Sequence, residues 1–407
     1  MKTVLKNSSP VFLVIVVLWL AGCQTSKKDP APIVNSEPTS FFGDWQPIED
    51  QYIVVYSEES NLRLSHARTL SDFNEKRIVF KEVTNEILMD NQLPSREINQ
   101  VFVSALEGFS TKFSPDEREI LMQDSRIAFI EQDQFIPFAK PPWAGGGNDG
   151  SSGGQETPWG ITRVNGGVEA AGKTAWIIDT GVDLDHPDLN VDVNRSRTFV
   201  STGRDSKNAD DKDGHGTHVA GTIAAIDNNI GVVGIAAGAT VVAVKVLGPF
   251  GGTLSDVIAG IDYVGNEGSN SDIANLSLGG GASTALDQAV VNASNSGVKF
   301  VIAAGNDGDN ANRYSPARAN GNNIYTISAM GKNDIWASFS NYANPPIDYC
   351  APGVSILSTY KGGGYAAMSG TSMAAPHAAG VLLLGGPSTD GTVNGDPDGN
   401  ADPIIVH

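Results

Sequence analysis

The sequence predicts two domains: a larger α/β domain with a doubly wound, mainly parallel sheet, and before it a small α+β domain of the ferredoxin-like type. Two observations support this. From Trp159 onward, short apolar runs alternate with helical stretches, as in sheets whose strands are buried on both faces by crossover helices. Between residues 49 and 138, the segments follow the order β-α-β-β-α-β, which is typical of a split βαβ unit.

The elements of the larger domain are distinct runs in the sequence. Strands are predicted at Ala175–Ile178, Val241–Val246, Ile273–Leu278, Phe300–Ala304 and Ile324–Ala329. Helices are predicted between them at His215–Ile226, Leu254–Asn266 and Ala285–Asn295. After Leu384 the chain is polar, so either residues 392–393 and 404–406 form the last strands or the C-terminal packing is abbreviated.

The smaller domain has shorter and less regular runs. Its strands are predicted at Tyr52–Tyr56, Ile78–Phe80, Val101–Leu106 and Ile127–Glu131, and its helices at Asn61–Phe73 and Asp116–Gln123. Residues 139–158 contain two adjacent prolines and several Gly and Ser residues. These glycines are not flanked by the strand and helix of a phosphate-binding loop, so the segment is interpreted as a linker.

The composition restricts the partners. The chain has 407 residues, with 46 acidic and 27 basic side chains, and a formal net charge of −19. Such a balance argues against nucleic acid or an anionic membrane surface as the main partner, because both select for basic patches. From Ala139 onward there are 23 Asp but only 3 Glu. This excess indicates either solvated loops or calcium sites, since Asp favours turns and oxygen-ligand loops.

The N-terminus has the pattern of an export signal. Lys2 and Lys6 precede the apolar run Val11–Leu20, which at ten residues is shorter than the roughly 20 that a membrane-spanning helix needs. The following Leu20-Ala21-Gly22-Cys23 resembles a bacterial lipobox, which implies a signal peptide over 1–22 and acylation of Cys23. The alternative is an ordinary signal peptide with a chance cysteine. Residues 23–48 are polar and proline-bearing, as expected of a tether.

Several residues capable of chemistry lie where a parallel sheet forms its sites, at the carboxyl ends of predicted strands. Asp179 ends one strand and Asn306 follows another, while His215 and Ser372 begin helices. A serine becomes a useful nucleophile when a base takes its proton and a carboxylate orients that base. A helix N-terminus at Ser372 would also direct its N–H groups toward a developing oxyanion. The pattern therefore indicates acyl transfer to water.

These motifs resemble those of the subtilisin-like serine proteases, or subtilases. The resemblance lies in Asp179-Thr180-Gly181-Val182, His186-Pro187-Asp188-Leu189, the block Asp213–Thr222, Ala303-Ala304-Gly305-Asn306 and the block Gly370–His377. The proteinase K branch is also similar at Pro158–Ile161 and Ser338–Tyr342, and residues 49–138 resemble the inhibitory prodomain of the family. The resemblance implies a secreted zymogen that processes itself, with residues 159–407 as the catalytic domain.

The resemblance also implies the role of each site residue. Ser372 would be the nucleophile, His215 the general base and then acid, Asp179 the orienting carboxylate and Asn306 an oxyanion donor. A peptide substrate would add as a strand between Phe250-Gly251-Gly252 and Ser277-Leu278-Gly279. Its P1 residue would enter a pocket at Gly279, Gly280 and Ala303, which these residues leave uncharged, so neutral or apolar side chains are expected there.

No cofactor is expected for catalysis. Asp348 matches a calcium-ligand position of the proteinase K branch, so the resemblance leaves open a structural calcium ion or an ordinary carboxylate there. The other calcium ligands at that position are largely backbone carbonyl groups in the family. The expected partners are protein or peptide substrates, the chain's own prodomain and, through Cys23, a membrane. The expected location is that of an exported bacterial lipoprotein, at the outer membrane or cell surface, whose mature protease can be released. Two alternatives stay open: a catalytically silent subtilase fold used as a surface binding module, and an esterase with the same triad.

Overall fold

The computed structural model describes Met1 and residues 44–57, 62–138, 154–201 and 203–407. The predicted signal peptide, Cys23, residues 23–43 of the tether and residues 139–153 of the linker lie outside the described residues. Residues 44–407 belong to one compact unit, Pro38–His407. No helix within the described ranges has the length and apolar character required to cross a membrane.

The N-terminal domain is a four-stranded antiparallel sheet covered by helices. Its elements are β1 (Gln46–Tyr56), α1 (Leu62–Ala67), α2 (Phe73–Asp90), β2 (Gln100–Phe102), β3 (Gly108–Lys112), α3 (Pro115–Leu121) and β4 (Ile127–Pro137). The elements follow the order β-α-β-β-α-β, but the predicted strand Ile78–Phe80 is wrong. That segment lies in α2, where Phe80, Val83 and Ile87 recur at helical spacing and are buried. The predicted strand Val101–Leu106 overlaps β2, and β3 was not predicted.

The C-terminal domain contains the large parallel sheet. Its elements up to the third major helix are α4 (Trp159–Arg163), β5 (Val168–Glu169), β6 (Thr174–Asp179), β7 (Asn190–Val191), β8 (Arg197–Thr198), α5 (His215–Ala224), β9 (Ala236–Ala237), β10 (Thr240–Lys245), β11 (Gly251–Thr253), α6 (Leu254–Glu267), β12 (Ile273–Leu276) and α7 (Thr284–Ser294). The remainder are β13 (Lys299–Ala303), β14 (Ile324–Met330), β15 (Ile347–Pro352), β16 (Ile356–Tyr360), β17 (Gly364–Met368), α8 (Thr371–Leu384), β18 (Ser388–Thr392) and β19 (Pro403–Val406).

The strand order of the large sheet is β18-β19-β15-β14-β13-β12-β6-β10-β7, and all pairs except β18 with β19 are parallel. Alternate residues of one strand enter different cores. Trp176 and Ile178 pack with α6 and α7, whereas Ala175 and Ile177 pack with α5 and α8. Helices therefore cover both faces, and the predicted doubly wound α/β fold is confirmed.

The C-terminal tail completes the sheet instead of ending it early. β19 pairs with β15 through Cys350 and Ile404, and β18 forms the antiparallel edge. Buried Asp402 accepts hydrogen bonds from Ser328 and Asn344, which fixes the preceding loop. The alternative that residues 392–393 and 404–406 contribute to the last strands is therefore the one that the structure supports, with the first of these strands lying mainly before 392.

Candidate active site

The fold brings the four predicted catalytic residues to one edge of the large sheet. Asp179 is the last residue of β6, Asn306 follows β13, His215 is the first residue of α5, and Ser372 is the second residue of α8. His215 Nδ1 lies 2.8 Å from Asp179 Oδ1, and both side chains are fully buried. Ser372 Oγ donates to the carbonyl oxygen of Ser277 at 3.2 Å.

The environment of His215 acts on its pKa in two opposing directions. Burial is the larger single effect and by itself would lower the pKa, because it disfavours the imidazolium. The negative charge of Asp179, together with its hydrogen bond, raises the pKa, and the pKa lies above its ordinary value as a net result. The carboxylate therefore stabilises the imidazolium that forms when His215 accepts a proton.

Two further carboxylates position His215, and the sequence analysis did not assign them this role. Asp211 is buried and accepts hydrogen bonds from the Asp213 and Gly214 N–H groups and from the Thr217 N–H and hydroxyl. Asp213 accepts from the His215 N–H at 3.2 Å. These bonds satisfy N–H groups at the start of α5, which have no partners within the helix.

The side-chain amide of Asn306 is oriented by hydrogen bonds to its oxygen. Its Oδ1 accepts from the N–H and hydroxyl groups of Thr371, at 2.8 and 2.9 Å. The amino group is therefore the part of the amide left to interact with a ligand in the cavity that Asn306 and Ser372 both line. A donor fixed in advance next to the nucleophile is the requirement for an oxyanion hole.

A strand of the N-terminal domain occupies the predicted substrate cleft. In β4, Phe135, Ile136 and Pro137 pair with β11 in antiparallel register, and the Phe138 N–H donates to the Phe250 carbonyl at 3.1 Å. The Phe138 ring lies edge-on to the His215 ring, with centroids 5.4 Å apart. Backbone pairing of this kind is β-strand addition, in which side-chain pockets add selectivity.

The cavity beside Ser372 has a volume of about 260 Å³. Gly279, Gly280 and Ala303, the residues predicted for the P1 pocket, line it together with Leu278, whereas Phe250 is 83% exposed and is not part of the lining. Asp307 also lines the cavity, which the prediction of an uncharged pocket omitted. Burial raises the pKa of this carboxyl group. Its position directly after Asn306 is the sequence signal that could have indicated it.

Three buried carboxylates connect the two domains. Asp262 of α6 accepts from the N–H groups of residues 103–105 at 2.7–2.8 Å. Asp256, also on α6, accepts from the Gln100 amide at 2.8 Å, and Asp133 of β4 accepts from the N–H and hydroxyl of Ser255. Burial raises the pKa of all three, that of Asp256 to about 7 and that of Asp262 to about 6. The surface that holds the N-terminal domain is therefore sensitive to the state of these acids.

The environment of Asp348 offers little for a metal ion. This half-buried carboxylate accepts from the Thr326 N–H at 2.9 Å. Among the described residues no three His, Cys, Asp or Glu side chains form a group that could hold a metal. A hard cation would therefore depend mostly on carbonyl and amide oxygens here, as the sequence analysis expected.

Asp188 lies in a polar cluster whose hydrogen bonds are made within the protein. Buried Asp188 accepts from the Asn228 amide at 2.7 Å and from the Val232 N–H at 3.1 Å, and the Asn228 amide oxygen accepts from the Ile230 N–H. The Gln155 amide lies 2.8 and 3.4 Å from the carbonyl oxygens of Ile226 and Val232. These bonds hold the loop 226–232 against residues 155 and 188.

Two protein families match the chain. The Subtilase family matches residues 173–385, and the Peptidase inhibitor I9 family matches residues 51–139. M-protease of Shouchella clausii (strain KSM-K16) is 39% identical over 329 residues, covering 77% of this chain and 80% of that protein. Extracellular serine proteinase of Thermus sp. (strain Rt41A) is 36% identical over 379 residues, covering 92% and 88%.

Subtilisin Savinase of Lederbergia lenta is 44% identical over 238 residues, covering 56% of this chain and 84% of that protein. Among solved structures, a cold adapted subtilisin-like serine proteinase is 40% identical, with a TM-score of 0.51, covering 56% of this chain and 83% of that one. The similarity thus covers from 56% to 92% of this chain among these relatives.

Proposed function

Because the chain belongs to the subtilase family and is a subtilisin-like serine protease with an I9 propeptide, we propose that Ser372, His215 and Asp179 form its catalytic triad. The observation that carries this proposal is the buried 2.8 Å hydrogen bond between His215 and Asp179, at the same edge of the sheet as the helix N-terminus that holds Ser372. It matches the requirement for an oriented base beside a nucleophile.

In the proposed reaction, the Ser372 hydroxyl turns from the Ser277 carbonyl toward His215, which takes its proton as Oγ attacks the peptide carbonyl carbon. The oxyanion accepts hydrogen bonds from the Asn306 amide and the Ser372 N–H. His215 then protonates the leaving amine, and water hydrolyses the acyl-enzyme with the same base. The substrate lies along Phe250–Gly252 and Ser277–Gly279, with a neutral or apolar P1 residue preferred.

The N-terminal domain acts as the inhibitor of this site. Its strand β4 occupies the β11 edge of the cleft, and Phe138 covers the His215 ring. The bond that the enzyme cuts in its own chain would follow this strand, within about 136–155. The cut chain end stays bound through β4, so inhibition continues after the cut until the prodomain is degraded.

We further propose that the precursor is an exported lipoprotein anchored through Cys23 and that maturation releases a soluble protease. The acyl chains would be joined to the prodomain side of the cut, whereas Asp179, His215 and Ser372 lie on the other side. Two or more acyl chains hold a protein stably on a membrane. We propose separately that the catalytic domain belongs to the proteinase K branch and that Asp348 is a ligand of a structural calcium ion.

Ser372→Ala tests these proposals in one experiment. Loss of the nucleophile should leave the precursor uncut and at the membrane, while the wild type should reach the soluble fraction at reduced mass. Fractionation with an antibody to the C-terminal domain measures both. Normal maturation of the variant in a protease-free host would contradict self-processing, and processed wild type that stays membrane-bound after prodomain loss would contradict release.

A fluorophosphonate label discriminates the alternatives. Labelling of mature wild type but not of Ser372→Ala would exclude a silent binding module, because the label reacts with an activated serine. Comparison of a peptide amide with the matching ester then separates a protease from an esterase. The strand-addition geometry of β4 on β11 favours the protease, since an ester without a peptide backbone would leave that edge unpaired.

A further inference from the structure

The residues that precede the compact part of the prodomain lie inside the active-site cleft. We define Asp44–Pro47 as the arm. Its Gln46 and Pro47 pair with Phe135 and Gln134 on the edge of β4 opposite to β11. Asp44 and Trp45 line the cavity that also contains Ser372. The cleft therefore holds two strands of the prodomain, β4 along β11 and the arm along β4.

Trp45 is the residue by which the arm contacts the catalytic domain. Its side chain is only 8% exposed, although it lies ahead of most of the prodomain. The indole lies directly against Gly280, where an added Cβ atom would be 1.8 Å from Nε1 and 2.5 Å from Cδ1. Any side chain at position 280 would displace the ring. Trp45 Nε1 is buried and has no acceptor among the described residues, so the contact is made by packing of the indole and not by a hydrogen bond.

The surface under Trp45 belongs to the edge that a substrate needs. Leu278, Gly279 and Gly280 line the same cavity as Trp45 and follow directly on Ser277. Substrate is proposed to add between this segment and Phe250–Gly252. β4 pairs with the second of these segments, and the indole lies beside the first. Each prodomain strand thus blocks a different wall of the cleft.

We infer that the arm is a second inhibitory element, in which Trp45 binds the Leu278–Gly281 surface and closes the wall that β4 does not pair with. The inference rests on the proposed protease function. The arm includes the first two residues of β1, Gln46 and Pro47, and lies far upstream of the proposed cut within 136–155. Cutting there gives β4 a new chain end but leaves the covalent connection of Trp45 to the prodomain unchanged. The arm therefore maintains latency after processing.

The first test measures access to Ser372 in the processed but undegraded complex. We expect a fluorophosphonate to label Trp45→Ala about 10- to 100-fold faster than wild type, because a buried aromatic side chain dominates many interfaces. The labelling rate of Trp45→Phe should stay near that of wild type. Met89→Ala, which changes an exposed residue of the prodomain, should be labelled at the wild-type rate. After prodomain degradation all four should share one kcat/KM. Equal labelling of Trp45→Ala and wild type would overturn the inference.

The second test does not depend on activity. Hydrogen exchange is followed in the full-length Ser372→Ala precursor, with and without Trp45→Ala, over peptides covering residues 277–283 and 251–253. We expect Trp45→Ala to speed exchange in the first peptide about tenfold and to leave the second unchanged, because β4 still pairs with it. Unchanged exchange over 277–283 would overturn the inference.

The two tests separate failure of the arm from failure of the proposed function. If fluorophosphonate never labels mature wild type, the protease proposal fails, while a change in exchange at 277–283 still supports binding by Trp45. Gly280→Ala is the reciprocal variant, because its Cβ displaces the indole. In the Ser372→Ala precursor it should expose residues 44–47 to exchange as much as Trp45→Ala exposes 277–283. Protection of the arm in that variant would count against the contact.

Discussion

Buried carboxylates occur both in the catalytic centre and on the surface that binds the prodomain, but their hydrogen-bond partners lie in different domains. Asp179 and Asp211 accept from groups of the catalytic domain itself, such as His215 and Thr217. Asp262 instead accepts from the backbone of prodomain residues 103–105. Departure of the prodomain therefore removes partners from the second set and leaves the first set intact.

The hydrogen bonds of the catalytic centre are permanent, because both partners lie in the catalytic domain. Those of the prodomain interface are conditional, because they exist only while the prodomain is bound. The proposed catalytic residues are already in place while the prodomain is bound, so the proposal requires only that the cleft be emptied for activation. The acids of the prodomain interface are buried while the prodomain supplies their hydrogen-bond partners. When the prodomain dissociates, water reaches these acids and replaces those partners. Latency should thus depend on the protonation of these interface acids, whereas catalysis should depend on local geometry and on the protonation of His215.

The largest expected effect concerns the permanent part. Asn306→Ala should lower kcat about 10²–10³-fold with KM nearly unchanged, a range known from subtilisin itself for one lost oxyanion donor. The reason is that the amide acts on charge that develops only in the transition state. Steady-state kinetics of the mature enzyme measure the effect, with exposed Asn312→Ala as the matched control. A large rise in KM at normal kcat would instead assign Asn306 to ground-state binding.

The arrangement of the catalytic residues could be predicted from the sequence because each lies at the end of a regular element. Strand ends and helix starts are readable as changes in hydrophobic pattern, and a parallel sheet brings its carboxyl ends together. The role of Asp211 could not be predicted in this way. It depends on how a loop turns back on the N-terminus of α5, which is a tertiary contact.

The error at Ile78–Phe80 has a similar cause. Three consecutive β-branched or aromatic residues favour a strand locally, but α2 places only Phe80 in the core and leaves Ile78 61% exposed. Asp72 starts this helix by accepting from the Glu75 N–H, a cap that its spacing to Glu75 could have indicated. Packing of the helix against the prodomain sheet overrides the local preference.

The second prediction concerns the pH dependence of catalysis. Catalysis requires neutral His215, and Asp179 holds the pKa of His215 above its ordinary value. Values of kcat/KM should therefore fall as the pH drops through a pKa above about 6.5, by up to about tenfold per unit below it. A pH profile with a neutral peptide substrate measures this fall. Unchanged turnover down to about pH 5 would contradict His215 as the base.

The third prediction concerns the conditional part. In the precursor, burial raises the pKa of Asp256 to about 7, compared with about 3.9 when it is exposed in the unfolded chain. An acid with a raised pKa costs nothing below its unfolded value, and its cost grows as the pH rises toward the folded value. The precursor should therefore lose stability between about pH 4 and pH 7, and change little above that.

Asp256→Asn tests this, since it leaves no carboxylate at position 256 to ionise. The variant is made in the Ser372→Ala precursor, which should remain uncut. Relative to its parent, the variant should be about as stable at pH 4.5 and more stable at pH 7.5, by a difference on the order of 1–3 kcal/mol. Thermal and denaturant unfolding measure it, with exposed Asp227→Asn as the control. A difference between variant and parent that does not vary with pH would mean that Asp256 does not titrate between pH 4 and pH 7.

The smallest expected effect lies where the two regions meet, in the cavity that both the prodomain arm and the catalytic domain line. Asp307 is the acidic group of the catalytic domain in that lining, and its side chain is exposed to solvent. Once the arm has left, an ionised Asp307 should attract a P1 lysine by about 1 kcal/mol, as is usual for ion pairs close to water. Asp307→Ser should therefore lower kcat/KM for P1 Lys relative to P1 Phe about fivefold. Asp309→Ser removes a nearby charge that is paired with Arg313, and should not change the ratio. A ratio that stays constant in both variants would support the original expectation of an uncharged pocket that prefers neutral or apolar P1 residues.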